Sequence, residues 1–179
     1  ARVYSKRSDL EIVFNTAKQR HQAQQLLARA REQMGVKDFD GAVASLDEAL
    51  RLHPDNEEIK ALRDEAARKA LVLKLQREGE AAMSHGENAK ACELLLQALA
   101  TDPDNAEIKA EEALAEQHKK ADEVKRLGDD QAAAGQFQAA LVSYQSALAL
   151  NSDDQELPAR IADVTKKIGA QQHQKNGQE

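Results

Sequence analysis

Tryptophan is absent, and two tyrosines and three phenylalanines are the only aromatic residues among 179. A core built without rings has to be filled by Ala, Leu, Ile and Val, which suits helices packed at close range. A single cysteine, Cys92, excludes an internal disulfide and offers no metal-ligand spacing. Its place on an apolar helical stripe reads as a buried, inert thiol. No apolar run approaches the roughly 18 residues that a membrane helix needs, and no signal peptide is visible, so no membrane insertion is expected. The net charge of −6 comes from interleaved signs, 25 Lys and Arg against 31 Asp and Glu. That balance argues against nucleic-acid binding.

Catalytic signals are missing too. There is no glycine-rich phosphate loop, no Ser/His/Asp set and no zinc spacing. His21, His53, His85, His118 and His173 are scattered, and none forms an i,i+4 pair with another. Asp102-Pro103-Asp104 lacks the glycine and distal Glu of a calcium loop. No enzyme activity, cofactor or metal is expected. The chain opens on Ala1 in place of Met, as a fragment or a processed product would; no compartment follows from this, the cytoplasm being favoured.

What is present is a repeat. His53-Pro54-Asp55-Asn56-Glu57-Glu58-Ile59-Lys60 returns as Asp102-Pro103-Asp104-Asn105-Ala106-Glu107-Ile108-Lys109, and again, worn, as Ser152-Asp153-Asp154-Gln155-Glu156-Leu157. Asp55, Asp104 and Asp153 stand 49 residues apart. A fixed period of this size signals stacked supersecondary units. Asp55/Glu58, Asp104/Glu107 and Asp153/Glu156 have the spacing of a capping box that opens the next helix.

Between these junctions the apolar spacing is helical throughout. A long helix is expected over 8–34, with Leu10, Val13, Phe14 and Ala17 and then Ala23, Leu26, Leu27 and Ala30 as its stripe, closed by Gly35. A short one follows over 38–52. Long helices over 56–84 and 105–134 alternate with short ones over 87–100 and 136–150, and a last helix lies near 156–168, begun late because of Pro158. Residues 1–7 read as a disordered lead-in or linker and 171–179 as a disordered tail. The solenoid would span 8–170, with repeats at 8–54, 55–103 and 104–152 and a capping helix at 155–169.

The third unit carries Leu127-Gly128, Gly135-x-Phe137, Ala140, Tyr144 and Ala147. The second carries Gly79, Gly86, Ala91, Leu95, Ala98 and Pro103, and the first Ala30, Phe39, Ala42, Leu46, Ala49 and Pro54. In these residues the chain, over about 23–154, resembles the tetratricopeptide repeat (TPR), a helix–turn–helix unit of about 34 residues. The implied fold class is all-α: a TPR-like α-solenoid of three helix–turn–helix repeats with elongated first helices, plus a C-terminal capping helix. The period departs from the family by 15 residues per unit, placed inside the first helix. Each long helix, about 40 Å against about 20 Å for the short ones, would pack its first half on the preceding short helix and its second half on the following one, and a stretched, staircase-like array would result. A break near Lys69 to Val72 would defeat that geometry.

The resemblance implies a noncatalytic protein–protein interaction scaffold that holds a partner protein or peptide along the first helices of its repeats. Mapped by position, that face holds Gln24, Leu27 and Arg31, then Leu73, Gln76, Arg77, Glu80 and Met83, then Asp122, Lys125, Arg126 and Asp129. Partner binding is expected at Arg31, Arg77, Arg126, Lys125, Gln76, Met83 and Leu27. The arginines suit an acidic peptide or carboxylate through bidentate bonds, and Met83, with Met34 at the same place one repeat earlier, an adaptable apolar contact. The same charges would also serve simply to solvate a helix, and the methionines to pack between repeats. The clamp by which some of the family grip chaperone C-termini maps to Leu27, Arg31, Arg77, Asp122 and Arg126; only the last keeps its character, so that ligand is disfavoured. The alternative readings are a structural spacer with no groove ligand and a self-associating assembly element, a homo-oligomer in which one copy stacks on another.

Overall fold

The computed structural model describes residues 2–176, with side chains over 10–174; the readings for residues 1 and 177–179 lie outside the described residues. Among the described residues there are seven α-helices and the class is all-α: α1 (Arg2–Gly35), α2 (Phe39–Leu52), α3 (Glu57–Ser84), α4 (Asn88–Thr101), α5 (Ala106–Ala133), α6 (Phe137–Leu150) and α7 (Leu157–Asn176). Long and short helices alternate and pack in sequence, as three helical hairpins followed by a C-terminal helix. Helix α1 extends back to Arg2, ahead of the expected start at Ser8, and α7 runs past Gly169 to Asn176. Helix α3 is uninterrupted through Lys69–Val72. The chain divides into two compact units, Ala1–Leu75 and Gln76–Glu179.

The three hairpin turns share one backbone design. Lys37, Gly86 and Gly135 take left-handed conformations with φ of 60°, 74° and 72°. The next residue's N–H returns to a carbonyl of the last helical turn: Asp38 to Gln33 at 2.9 Å, Glu87 to Ala82 at 2.8 Å, Gln136 to Gln131 at 2.9 Å. This is the six-to-one closure of a Schellman motif, for which glycine is the low-strain residue. Gly35 lies inside α1 and does not close it; the left-handed position two residues on is filled by Lys37. In the first and third hairpins a Ser–Gln bond ties the two helices, Ser45 Oγ to Gln33 Oε1 and Ser143 Oγ to Gln131 Oε1, each 2.7 Å. The second hairpin has Leu94 and Ala82 at those places.

The junctions between hairpins also repeat, with a correction to the cap. His53, Asp102 and Asn151 accept from the N–H of Asn56, Asn105 and Asp154, respectively, which closes a four-residue turn. Pro54 and Pro103 take the second position of their turns, where a fixed φ is favourable. The turn delivers the following residue to the helix threshold. Asn56 Oδ1 accepts from Ile59 N–H at 3.1 Å, Asn105 Oδ1 from Ile108 N–H at 3.2 Å, and Asp154 Oδ1 from Leu157 N–H at 3.3 Å. The caps are therefore Asn56, Asn105 and Asp154, one residue later than the expected Asp55, Asp104 and Asp153.

In the first unit Ala23, Leu27 and Ala30 of α1, Ala42, Leu46 and Ala49 of α2, and Ile59 and Ala66 of α3 form one core. In the second, Ala140, Tyr144 and Ala147 of α6 meet Leu157 and Val164 of α7. Small residues at equivalent places let the paired helices approach: Ala42, Ala91 and Ala140 are fully buried, as are Ala49, Ala98 and Ala147. Each fully buried Leu or Ile, such as Leu46, Leu95 or Ile108, contributes about 1.5–3 kcal/mol. Within the second unit α5 packs on both short neighbours. Its residues Glu116 and Asp122 face Cys92 and Asn88 of α4, while Gly128, Asp129 and Gln131 face Tyr144 and Ser143 of α6. The first stripe of α1 departs from the expectation: Leu10, Val13, Phe14 and Ala17 are exposed.

Candidate functional site

In the first unit, the second half of α1, the turn after α2 and the start of α3 enclose a cleft of about 320 Å³. Arg20, Gln24, Leu27 and Arg31 line it from α1, His53 and Asn56 from the turn, and Glu58 and Ile59 from α3. Leu27 is buried and forms part of its apolar floor. Arg31 and Glu58 form an ion pair at the rim, and both side chains are more than half exposed. A pair so solvated holds together with only about 0–1 kcal/mol. A ligand carboxylate can take the place of Glu58 on the Arg31 guanidinium at little cost, keeping the charge-assisted geometry. The capping-box spacing gives Glu58 another role, and the face mapped from the resemblance contains neither Arg20 nor His53. The pairing signal was available only as a charge opposite to Arg31, 27 residues away.

The other expected residues are placed differently. Gln76 is buried and donates from Nε2 to Glu111 Oε1 at 2.8 Å. The second oxygen of Glu111 is buried without a hydrogen-bond partner among the described residues. Burial first, and then the charges of Glu80 and Glu107, push the Glu111 carboxyl above its ordinary value, against the lowering effect of Gln76.

Lys125 is largely covered. Its ammonium lies 2.8 Å from Asp154, 3.7 Å from Glu156 and 3.9 Å from Asp122. Burial acts to lower Lys125, but the hydrogen bond and charge of Asp154, with Glu156 and Asp122, outweigh it and hold the ammonium above its usual range. The same bond draws Asp154 below the usual carboxylate range in spite of its burial. Beside this pair Asp129 accepts from both Arg160 and the Tyr144 hydroxyl. Lys125 thus ties the cap residue of α7, Asp154, to α5, and Arg160, which no motif marks, adds a second tie from α7 to Asp129 of α5.

Arg77 on α3 and Arg126 on α5 occupy equivalent positions and are exposed, while Met83 is half-buried. The structure brings Leu27 and Arg31 together in one cleft, and leaves Arg77 and Arg126 each facing solvent on a separate long helix. Cys92 is buried, with Sγ 3.7 Å from a Glu116 oxygen; burial and that carboxylate raise its pKa, which keeps the thiol protonated. Among the described residues no helix is long and apolar enough to cross a membrane.

Compared with known proteins, the chain matches no family model and no curated protein.

Proposed function

We propose that this chain is a noncatalytic protein–protein interaction scaffold of the TPR kind, which holds a partner segment against its long helices without a cofactor. The observation that carries this reading is the cleft over Leu27, where an apolar floor lies beside Arg31, whose present partner is the exposed, exchangeable Glu58. A segment suited to it is short and extended, with an apolar side chain over Leu27 and a carboxylate for Arg31. Exposed Arg20 at the rim extends the preference for acidic partners.

A second reading, a structural spacer, is favoured by the internal use of Gln76 and Lys125: both hold helices together and leave nothing for a ligand. Affinity capture from a lysate separates the two. The full chain is compared with an Arg20→Ala/Arg31→Ala variant; both side chains are exposed, and unchanged helicity by circular dichroism confirms that the variant folds. A partner captured by the native chain and lost by the variant supports the scaffold. A partner held equally by both moves the site to another surface, and absence of any specific partner supports the spacer.

A further inference from the structure

The first junction between hairpins differs from the later two in the sign of its charge. His53 stands where the later units have Asp102 and Asn151, and Arg31 where they have Glu80 and Asp129, each 49 residues after the one before. In a chain of net charge −6, these two exchanges make one cleft basic. The exchange at His53 also frees an amide. In the second unit Asn105 Nδ2 donates to Asp102 Oδ2 at 3.2 Å. Histidine at 53 supplies no carboxylate, and Asn56, whose Oδ1 accepts from the Ile59 N–H, keeps its NH2 edge for the cleft it lines. The cleft has two ends. Arg31 and Glu58 pair at one. Arg20 stands 11 residues before Arg31 on α1, about 16 Å along the axis. Helix α2 runs back along α1 from the Ser45–Gln33 tie, so its end delivers His53 toward Gln24 and Arg20. Glu58 is the single acid that lines the cleft among the described residues, so the Arg20 end presents donors alone.

We propose that the partner segment held by this cleft is phosphorylated, and that its phosphoryl group sits between Arg20 and His53. The inference rests on the scaffold reading and names the chemistry of the partner. A carboxylate presents two oxygens in one plane, and Arg31 alone serves it. A phosphoryl group presents three acceptor oxygens and close to a double negative charge, which fits donors that arrive both from α1 and from the turn after α2. A guanidinium such as Arg20 is the side chain best suited to it. Leu27 forms an apolar floor between the two ends, and that floor makes the occupant a peptide, since a free anion has no use for it. An extended chain covers 16 Å in about five residues. The segment therefore carries a phosphoserine, an Asp or Glu about five positions away for Arg31, and an apolar side chain between them over Leu27.

The probe is an oriented pool of synthetic peptides with one fixed phosphoserine and varied residues on both sides. It is passed over the immobilised full chain beside matched pools fixed on serine and on glutamate. The expected result is retention of the phosphoserine pool about tenfold above both others, selection of Asp or Glu about five positions from the phosphoserine, and loss of retention in Arg20→Ala/His53→Asn. Asparagine is the residue of the third junction at that place, and unchanged helicity by circular dichroism confirms that the variant folds. Equal retention of the phosphoserine and glutamate pools, retention that survives Arg20→Ala/His53→Asn, or retention of no pool overturns the proposal. So does displacement of the phosphoserine pool by an equal concentration of inorganic phosphate, since the occupant is then the free anion. Capture from a phosphatase-treated lysate keeps this inference apart from the reading it rests on. A partner still captured there by the native chain, and lost by Arg20→Ala/Arg31→Ala, sinks the phosphoryl group and leaves the scaffold standing.

Discussion

A Cβ atom placed on Gly128 would stand 2.6 Å from Cε1 of Tyr144. The same pair of positions holds Gly79 against Leu95, with a Cβ 2.9 Å from Cγ, and Ala30 with Leu46 in the first hairpin. The first hairpin thus pairs alanine with leucine, the second glycine with leucine, and the third glycine with tyrosine. Gly128→Ala is expected to destabilise by about 1–3 kcal/mol through overpacking, read as a shift of the urea midpoint at constant m-value. The double variant Gly128→Ala/Tyr144→Leu copies the Ala30/Leu46 pair and should recover part of that loss. Recovery is incomplete because the Tyr144 bond to Asp129, 2.8 Å long, is gone. Additive effects of the two changes would show that the contact does not limit the packing.

Lys37 holds a left-handed conformation that Gly86 and Gly135 provide in the other two hairpins. A side chain with a Cβ costs roughly 1–2 kcal/mol there, while glycine loses more chain entropy on folding. Lys37→Gly should raise stability by about 1 kcal/mol, a rise of about 2–4 °C in melting temperature for a chain of this size. Gly86→Ala should lower it, since alanine would have to adopt φ near 74°. Calorimetry on both variants tests this, and a loss on Lys37→Gly would mean that the turn is held by contacts of the lysine itself.

Much of the architecture was legible because one signal was read three times. Helices, turns and the buried alanines follow from a 49-residue period in which each apolar position repeats. What escaped was decided by position within a turn or by tertiary neighbours. Gly35 looked like the helix stop, yet the strained residue is Lys37, since a Schellman closure counts from the carbonyl it satisfies. The stripe of Leu10, Val13, Phe14 and Ala17 has the periodicity of a core; periodicity reports a face, and only a neighbouring helix makes that face buried. At the candidate site, the resemblance marked Arg31 and Lys125 but not their carboxylate partners Glu58 and Asp154, which lie 27 and 29 residues downstream.

The position of the caps separates two neighbouring residues. Asn105→Ala removes the acceptor for the Ile108 N–H and should cost about 1 kcal/mol, whereas Asp104→Ala, one residue earlier and with an exposed side chain, should cost a few tenths at most. Equal losses would return the cap to Asp104. Amide exchange gives a sharper reading than melting, because only Asn105→Ala should speed exchange at Ile108.

Glu111 and Asp154 give the second unit two opposite dependences on pH. Burial and neighbouring carboxylates raise Glu111 in the folded chain, so its favourable contribution is present below the unfolded value, ordinarily about 4.3, and is lost as pH rises through the folded one. When ionised, that carboxylate keeps a buried oxygen without a hydrogen-bond partner among the described residues. Glu111→Gln removes that charge, still accepts from Gln76, and offers a donor toward the surrounding carboxylates. It should stabilise at pH 7 by about 1 kcal/mol, and the gain should fade as pH drops toward 4 and the native glutamate takes up its proton. Asp154 behaves in the opposite sense. Its folded value is lowered, chiefly by Lys125 against the effect of burial, so its contribution is present above the unfolded value and is lost as pH falls through the folded one. Asp154→Asn keeps an acceptor for the Leu157 N–H but breaks the charge pair with Lys125; it should cost about 1–3 kcal/mol at pH 7, and less with each step into acid. Urea melts of the three proteins from pH 7 to pH 3 should therefore give curves that approach the native chain from above for Glu111→Gln and from below for Asp154→Asn. A Glu111→Gln advantage that persists unchanged at pH 3 would mean that shape, and not the ionised carboxylate, sets its effect.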